Sequence, residues 1–269
     1  MSEEPWTTVT PRKSRSKRTH AKPATATIAP PTALSTPSPR PPSPTTTQQL
    51  LVTVATHRTH FARSAYGAAL AAVLSRERAR RPGTVFARAV CVGLGSVARD
   101  EPALRRRSLW QLAAFLEVAV GMLGVCCSGG DVVVQDPAFG AVDCALFEAL
   151  GVRVVRVPRA RECVSRECFL FAPFLEGAVL LESVLPGTDP ALYIGCEDLA
   201  EMKYQPFPES NVERMREVAR EFMANRTEVK ITEEFEVDKH IFAGLSMYWR
   251  SLEDDESKET IDDSANDSS

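Results

Sequence analysis

Histidine is scarce in this chain, with four in 269 residues. None of the seven cysteines stands at CxxC spacing, since the nearest pairs are Cys126 with Cys127 and Cys163 with Cys168. Structural zinc sites are usually built from such cysteine pairs together with histidines. His57 and His60 lie one helical turn apart, and packing or exposure explains that spacing better than a metal does. We therefore predict no metal site.

Long apolar runs are also missing. The longest extends from Leu109 to Cys127, and Gln111 and Glu117 interrupt it, so it is too polar for a membrane span. No apolar segment opens the chain, and we expect no secretory signal. The odd number of cysteines, most of them in apolar surroundings, favours reduced thiols over a disulfide framework. These features predict a soluble protein of the cytoplasm and nucleus, without a membrane partner.

The common catalytic signatures are absent as well. The sequence contains no GxSxG, HExxH, P-loop or protein-kinase motif. No Ser/His/Asp or Cys/His set can be assigned from its few histidines. We therefore nominate no catalytic residue, and the sequence favours a protein that is not an enzyme.

Charge is concentrated at the two ends of the chain with opposite sign. Residues 1–50 carry a net charge of +5, whereas residues 253–269 carry −7. Such ends are typical of solvated segments that bind partners or maintain solubility. A basic run from Arg12 to Arg18 is typical of a nuclear localisation signal or a nucleic-acid contact, and a merely solubilising tail is the alternative. We expect protein partners, with nucleic-acid binding through this run as an alternative.

Proline, serine and threonine dominate the first part of the chain. The proline-rich stretch from Pro30 to Pro44 is incompatible with a helix or a central strand. We therefore predict a disordered basic segment over residues 1–47, one domain over residues 48–250, and a disordered acidic segment over residues 251–269.

Apolar strand patterns alternate with helical patterns throughout the predicted domain. We predict helices over 48–81, about 104–123, 142–150, 175–185 and 212–224, strands over 89–92, 131–135, 152–157, 168–172 and 191–195, and a sixth, edge strand over 244–249. Continuous apolar strands separated by helices favour a parallel sheet covered on both faces. The predicted fold is α/β, a Rossmann-like three-layer sandwich with a mainly parallel sheet of five or six strands, preceded by a helix.

Two glycines follow the first predicted strand, in the sequence Gly93-Leu94-Gly95-Ser96. Such a turn lets a ligand approach the backbone, but the third glycine of the dinucleotide fingerprint is missing, and a tight turn is the alternative. Asp136 follows the second strand, where an acid takes ribose hydroxyls in dinucleotide-binding folds, or simply starts an Asp-Pro turn. Gly93, Gly95, Ser96 and Asp136 are our candidate cofactor contacts, and we assign no cofactor.

Several short segments, taken in their order and spacing, resemble one family. The segments are Cys91–Ser96, Ser108–Leu112, Gln135–Phe139, Leu150-Gly151, Phe171–Pro173, Tyr193–Gly195, the N-terminal Trp6–Val9 and the closing Gly244–Trp249. They resemble the "sensitivity to red light reduced" family, named for a plant regulator of light signalling and circadian timing. The resemblance implies a regulatory protein of the nucleus and cytoplasm for which no reaction is established.

Two positions depart from the pattern of that family. Pro173 is followed by Phe174 where the family usually has histidine, and Gly195 is followed by Cys196 and Glu197 where it usually has Asn-Ser. These are the polar groups that would otherwise be nominated for chemistry. Their replacement favours a non-enzymatic regulatory role. The alternative is a nucleotide- or S-adenosylmethionine-binding domain with transferase activity.

Overall fold

A seven-stranded sheet forms the centre of the computed structural model. The structure describes residues 44–196, 199 and 208–251, which all lie in one compact unit. Disorder was predicted for residues 1–47 and 251–269, and of these segments residues 1–43 and 252–269 lie outside the described residues. The strands are β1 (Arg88–Val92), β2 (Val132–Gln135), β3 (Arg153–Val154), β4 (Cys168–Ala172), β5 (Leu192–Cys196), β6 (Arg226–Lys230) and β7 (Leu245–Arg250).

The strand order is β3-β2-β1-β4-β5-β7-β6. Strands β1 to β5 pair in parallel, and β7 runs antiparallel to both of its neighbours, β5 and β6. The prediction of an α/β fold with a mainly parallel sheet is confirmed, but the count of five or six strands was wrong. The predicted edge strand over 244–249 is β7, and it lies inside the sheet because β6 covers its outer side.

The helices are α1 (Pro44–Arg63), α2 (Ala65–Arg80), α3 (Pro102–Leu116), α4 (Ala141–Ala149), the short α5 (Gly177–Val179) and α6 (Glu209–Ala224). Helices α3 and α5 continue as the π-helical segments Glu117–Met122 and Leu180–Val184. The first helix begins at Pro44, ahead of the domain boundary that we expected at residue 48. Among the described residues, the helices are too short or too polar to cross a bilayer.

The single helix predicted over 48–81 is two helices, because Ser64 interrupts it. The Ser64 backbone is extended, and its hydroxyl accepts a hydrogen bond from the amide of Gly67 while donating one to the carbonyl oxygen of Phe61. Serine favours such caps over helix interiors because its side chain competes for backbone groups. The break lets α1 and α2 turn relative to each other.

Both faces of the sheet are buried, which explains the continuous apolar strands. Alternate strand residues point to opposite faces, so that Cys91 belongs to one apolar cluster and Val90 to the other. The first cluster includes residues of α1 to α4, and the second includes residues of α6 and of the segment around α5. The predicted three-layer arrangement follows from these two cores.

A buried ionic cluster anchors the end of α2 to the sheet. The Glu77 side chain is only 2% exposed and pairs with Arg76, Arg80 and Arg81 at 3.1, 3.1 and 2.7 Å. The Arg81 guanidinium also lies 5.2 Å from the ring centroid of Trp249 in β7. The cluster, Glu77 with its three arginines, therefore ties the helical layer to the last strand of the domain.

Candidate functional site

The strand order places a topological switch point between β1 and β4. The chain passes from β1 outward to β2 and β3, and then returns to β4 on the other side of β1. In open α/β sheets, ligands bind in the crevice outside the carboxyl ends of the strands at such a point. The segment between β1 and α3, residues 93–101, borders this crevice, and we call it the switch-point loop.

Backbone conformation and close packing explain why glycine occurs at both candidate positions, Gly93 and Gly95. Gly93 and Gly95 have φ angles of +73° and +74°, a region that other residues rarely adopt. A Cβ on Gly93 would lie 2.8 Å from the Cβ of Leu175, and a Cβ on Gly95 would lie 3.0 Å from the Oγ of Ser108. The loop therefore needs glycine at both positions for its own packing, as the tight-turn interpretation requires.

Replacing Gly93 with alanine should lower the free energy of unfolding by about 2–4 kcal/mol, since the substitution combines a left-handed backbone with overpacking. Gly83→Ala is the matched control, because no atom lies within 4 Å of its would-be Cβ and its φ is not positive. That variant should match the wild type within about 1 kcal/mol. Chemical denaturation measures both variants, and a Gly93→Ala protein as stable as the wild type would contradict this account.

Asp136 joins the end of β2 to the switch-point loop. Its Oδ2 accepts a 2.7 Å hydrogen bond from the amide of Gly95, and its Oδ1 accepts one of 2.8 Å from the amide of Ala138. Both carboxylate oxygens thus bind backbone amides of the protein itself. The contact to Ala138 is the Asp-Pro turn that the sequence allowed, and the contact to Gly95 was not foreseen.

Asp143 is a second carboxylate under the loop, and sequence reasoning missed it. Its side chain is 1% exposed. It accepts hydrogen bonds from the hydroxyl of Ser96 at 2.8 Å and from the amides of Val97, Ala98 and Gly140 at 2.9, 3.3 and 2.8 Å. The available signal was an acid in the first turn of a mainly apolar helix, where its carboxylate accepts a hydrogen bond from the amide of the N-cap residue Gly140.

The structure thus brings all four candidate residues together, and their polar groups are engaged in holding the loop. The Ser96 hydroxyl donates directly to Asp143, with no imidazole between them to act as a base. Cys91 lies in β1, next to this loop. Burial raises the pKa of its thiol well above the ordinary value, and the charge of Asp136 adds to that effect, so Cys91 is not a thiolate nucleophile. These contacts build a rigid turn. Cofactor binding by the four residues stays a prediction.

The rim of the crevice is basic and aromatic. The Arg107 guanidinium lies 4.6 Å from the ring centroid of Phe174, the residue that departs from the family pattern after β4. An Nη of Arg99 lies 3.6 Å from the would-be Cβ of Gly95. Neither arginine has a carboxylate partner among residues 44–196, 199 and 208–251. Positive charge therefore lies on the rim of the crevice, at Arg99 beside Gly95 and at Arg107 over Phe174, and guanidinium groups suit an anionic ligand.

A metal centre finds no support in the part of the chain that the structure describes. No group of three or more histidine, cysteine or acidic side chains there could hold an ion. The His57 ring instead stacks on Trp110 with centroids 3.9 Å apart, and His60 meets the same indole edge-on at 5.4 Å. This is the packing role that the spacing of the two histidines indicated.

Comparisons with known proteins support the family assignment and give little beyond it. The SRR1 domain matches residues 70–249. No curated protein matches the chain in sequence. Among solved structures, the chain is similar to a mutant of MtNAS in complex with S-adenosylmethionine, with 11% identity and a TM-score of 0.32, over 77% of this chain and 75% of the other. It is also similar to Thermoplasma acidophilum 1320, with 11% identity and a TM-score of 0.30, over 77% and 97%.

Proposed function

The chain belongs to the SRR1 domain family, and we propose that it is a non-enzymatic regulatory protein that acts by binding other proteins. Regulation of a circadian or signalling type is the role we propose, because the family that the sequence resembles is named for such a regulator. We further propose that the protein works in the nucleus and cytoplasm. The basic run Arg12–Arg18 supports the nuclear part of this assignment.

One observation carries the proposal. The carboxylates and the hydroxyl at the switch point, those of Asp136, Asp143 and Ser96, all bind the protein's own loop. A general base or a nucleophile must reach the reacting atom and have a suitable partner. Asp143 is buried beyond the reach of a substrate, and Ser96 is 8% exposed. The geometry therefore supports a stable domain surface at the edge of the sheet where open α/β folds bind ligands.

Affinity purification of tagged chains tests the proposal. We expect the full chain to recover specific protein partners, and a chain lacking residues 1–43 shows whether these bind the basic segment or the domain. The Glu101→Gln variant should recover the same partners, since it removes only an exposed charge beside the switch point. Turnover of a defined metabolite by the purified full chain, lost in Asp136→Asn while Glu101→Gln keeps it, would overturn the proposal.

A second candidate function is the binding of an adenine nucleotide or S-adenosylmethionine in the β1/β4 crevice. Two observations favour it. The strand order opens a crevice between β1 and β4 at the carboxyl ends of the parallel strands, where open α/β sheets bind ligands. In addition, Arg99, Arg107 and Phe174 present positive charge and an aromatic face at the switch point.

A thermal-shift panel of S-adenosylmethionine, NAD and ATP separates the two candidates. Under the second, a ligand near 100 times its dissociation constant stabilises the fold by about 2.7 kcal/mol. The double variant Arg99→Gln/Arg107→Gln should abolish that shift, and the exposed Arg105→Gln should preserve it. An unchanged melting temperature with every compound would remove the second candidate and leave the first.

A further inference from the structure

The connection between β6 and β7, residues 231–244, borders an open cavity of about 420 Å³. This volume falls within the range of about 300–1,000 Å³ that is usual for small-molecule sites. Leu245, the first residue of β7, is the register partner of Cys196 at the carboxyl end of β5. The cavity, which we call the β6–β7 cavity, therefore lies at the same edge of the sheet as the switch point but beyond β5. It shares no residue with the switch-point loop.

Aromatic rings form the inner wall of this cavity. Tyr66 of α2 and Phe242 stack with ring centroids 5.0 Å apart, and Phe235 meets Phe242 edge-on, also at 5.0 Å. All three residues line the cavity, and all three are buried. A planar apolar group is therefore the natural neighbour of this wall, since aromatic pairs favour stacked and edge-on contacts.

Two side chains of α3 anchor the β6–β7 connection. The Nη2 of Arg106 donates a 3.1 Å hydrogen bond to the carbonyl oxygen of Val237, and the Nε2 of Gln111 donates one of 3.3 Å to the carbonyl oxygen of Ile241. Both acceptors belong to the connection. The wall of the cavity is thus tied to the helical layer by the protein's own contacts.

The Tyr66 hydroxyl is a polar group without a partner. The residue is only 6% exposed, and its hydroxyl forms no hydrogen bond with residues 44–196, 199 and 208–251. The unpaired hydroxyls that are sealed inside the described core belong to Tyr193 and Ser246, so that of Tyr66 is open to a molecule in the cavity. Burial raises the pKa of Tyr66 above its ordinary value of 10, and the hydroxyl is therefore a donor at neutral pH. Leaving a buried donor unpaired is unfavourable, and a ligand oxygen would satisfy it.

Charges of both signs line the rim of the cavity. Lys239 and Glu234 are exposed there, and neither side chain forms an ion pair within the part of the chain that the structure describes. The other ionisable groups on the rim are Glu233, His240 and Lys230. A ligand whose outer end carries both an ammonium and a carboxylate matches this rim better than a ligand of one sign.

We propose that the β6–β7 cavity binds a free hydroxyaryl α-amino acid, of which L-tyrosine is the simplest case. The aryl ring packs against Phe235 and Phe242, and its hydroxyl accepts a hydrogen bond from Tyr66. The ammonium and the carboxylate meet Glu234 and Lys239 on the rim. From the inner wall outward, the cavity thus presents a hydroxyl, aromatic rings and paired charges, which is the order of complementary groups along this molecule. The site would add a small-molecule input to the regulatory role, and it does not involve the switch point.

Isothermal titration calorimetry on the full chain tests this inference with three probes, L-tyrosine, L-phenylalanine and N-acetyl-L-tyrosinamide. We expect L-tyrosine to bind at least about tenfold more tightly than either analogue. L-phenylalanine lacks the hydroxyl and leaves that of Tyr66 unpaired. N-acetyl-L-tyrosinamide keeps the hydroxyl but lacks both charges of the outer end.

Matched variants identify the groups involved. Tyr66→Phe should abolish the preference for L-tyrosine over L-phenylalanine without lowering the melting temperature, since it removes only an unpaired hydroxyl. Lys239→Gln, at an exposed position, should weaken the binding of L-tyrosine severalfold. Glu236→Gln is the control, because Glu236 is exposed on the same connection but does not line the cavity, and it should leave the affinity unchanged.

Absence of L-tyrosine binding up to its solubility limit would overturn the proposal, and so would equal affinities for L-tyrosine and L-phenylalanine. A preference for L-tyrosine that survives Tyr66→Phe would also contradict it. If Tyr66→Phe melted at a lower temperature, Lys239→Gln would still decide, because an unchanged affinity there excludes the rim contact. Loss of binding in Arg99→Gln/Arg107→Gln would place the ligand at the switch point instead. None of these outcomes bears on whether the chain binds other proteins.

Discussion

Replacing Asp143 with alanine is expected to lower the free energy of unfolding by about 4 kcal/mol. The substitution leaves the amides of Val97, Ala98 and Gly140 and the hydroxyl of Ser96 without their shared acceptor. Hydrogen bonds to a charged group contribute about 1.5–3 kcal/mol each, and buried donors left unpaired add their own penalty. Chemical denaturation of the full chain, monitored by circular dichroism, measures the effect.

The control for this variant lies on the same helix. Glu148 in α4 is exposed, and Glu148→Ala should change stability by no more than about 0.5 kcal/mol. Asp143→Asn should fall between the two, because the amide side chain keeps one acceptor and turns its NH₂ group toward existing donors. If Asp143→Ala proved as stable as Glu148→Ala, the loop would not depend on this carboxylate.

Glu77→Gln is the other substitution with a large expected effect, a loss of about 3 kcal/mol in the free energy of unfolding. Removing one partner of a buried pair leaves an uncompensated charge, and the Arg81 side chain is only 7% exposed. Arg81 also contacts Trp249 and donates to the carbonyl oxygen of Arg250, so its displacement disturbs β7. Glu182→Gln breaks the more exposed pair with Arg214 at 3.6 Å and should cost no more than about 1 kcal/mol.

The same cluster sets a pH dependence. Burial alone would raise the pKa of Glu77, but hydrogen bonds from Arg81 and Arg76 and the charges of Arg80 and Arg81 lower it below its ordinary value of 4.5. Since the pKa is lower in the folded state, the contribution of Glu77 to stability is present above pH 4.5 and is lost as the pH falls through the folded pKa. Unfolding measured at neutral and acidic pH should show the gap between the wild type and Glu77→Gln closing on acidification. A gap that widens would contradict the assignment.

The sequence located the strands that are buried on both faces and missed the charged edge strand β6. β1, β2, β4 and β5 are continuous apolar runs, and each was predicted within a residue or two. β6 reads Arg-Thr-Glu-Val-Lys, with mostly exposed side chains that are typical of a charged edge strand. Such a strand is recognised by its pairing, here with β7. Because β6 was not predicted, β7 was wrongly predicted to be the edge strand.

The candidate site was predicted only in part, because only some of its contacts have a local sequence signature. A glycine turn after a strand has a local signature, and the structure places Gly93 and Gly95 where the turn requires them. The contact of Asp143 with the switch-point loop depends on the amides of Val97 and Ala98, 46 and 45 residues earlier in the chain, and no local pattern reports it. Arg99 and Arg107 likewise became candidates only when the strand order placed β4 beside β1.

The central claim is that Asp136 and Asp143 hold the switch-point loop closed instead of performing chemistry. Amide hydrogen exchange in this loop tests that claim most directly. The account predicts that the amides of Gly95 and Val97 exchange as slowly as the β1 amide of Cys91, through global unfolding only. It also predicts that saturating S-adenosylmethionine, NAD or ATP leaves those rates unchanged. Exchange of the loop amides at the rate of an open loop, or slower exchange on adding one of these compounds, would contradict it.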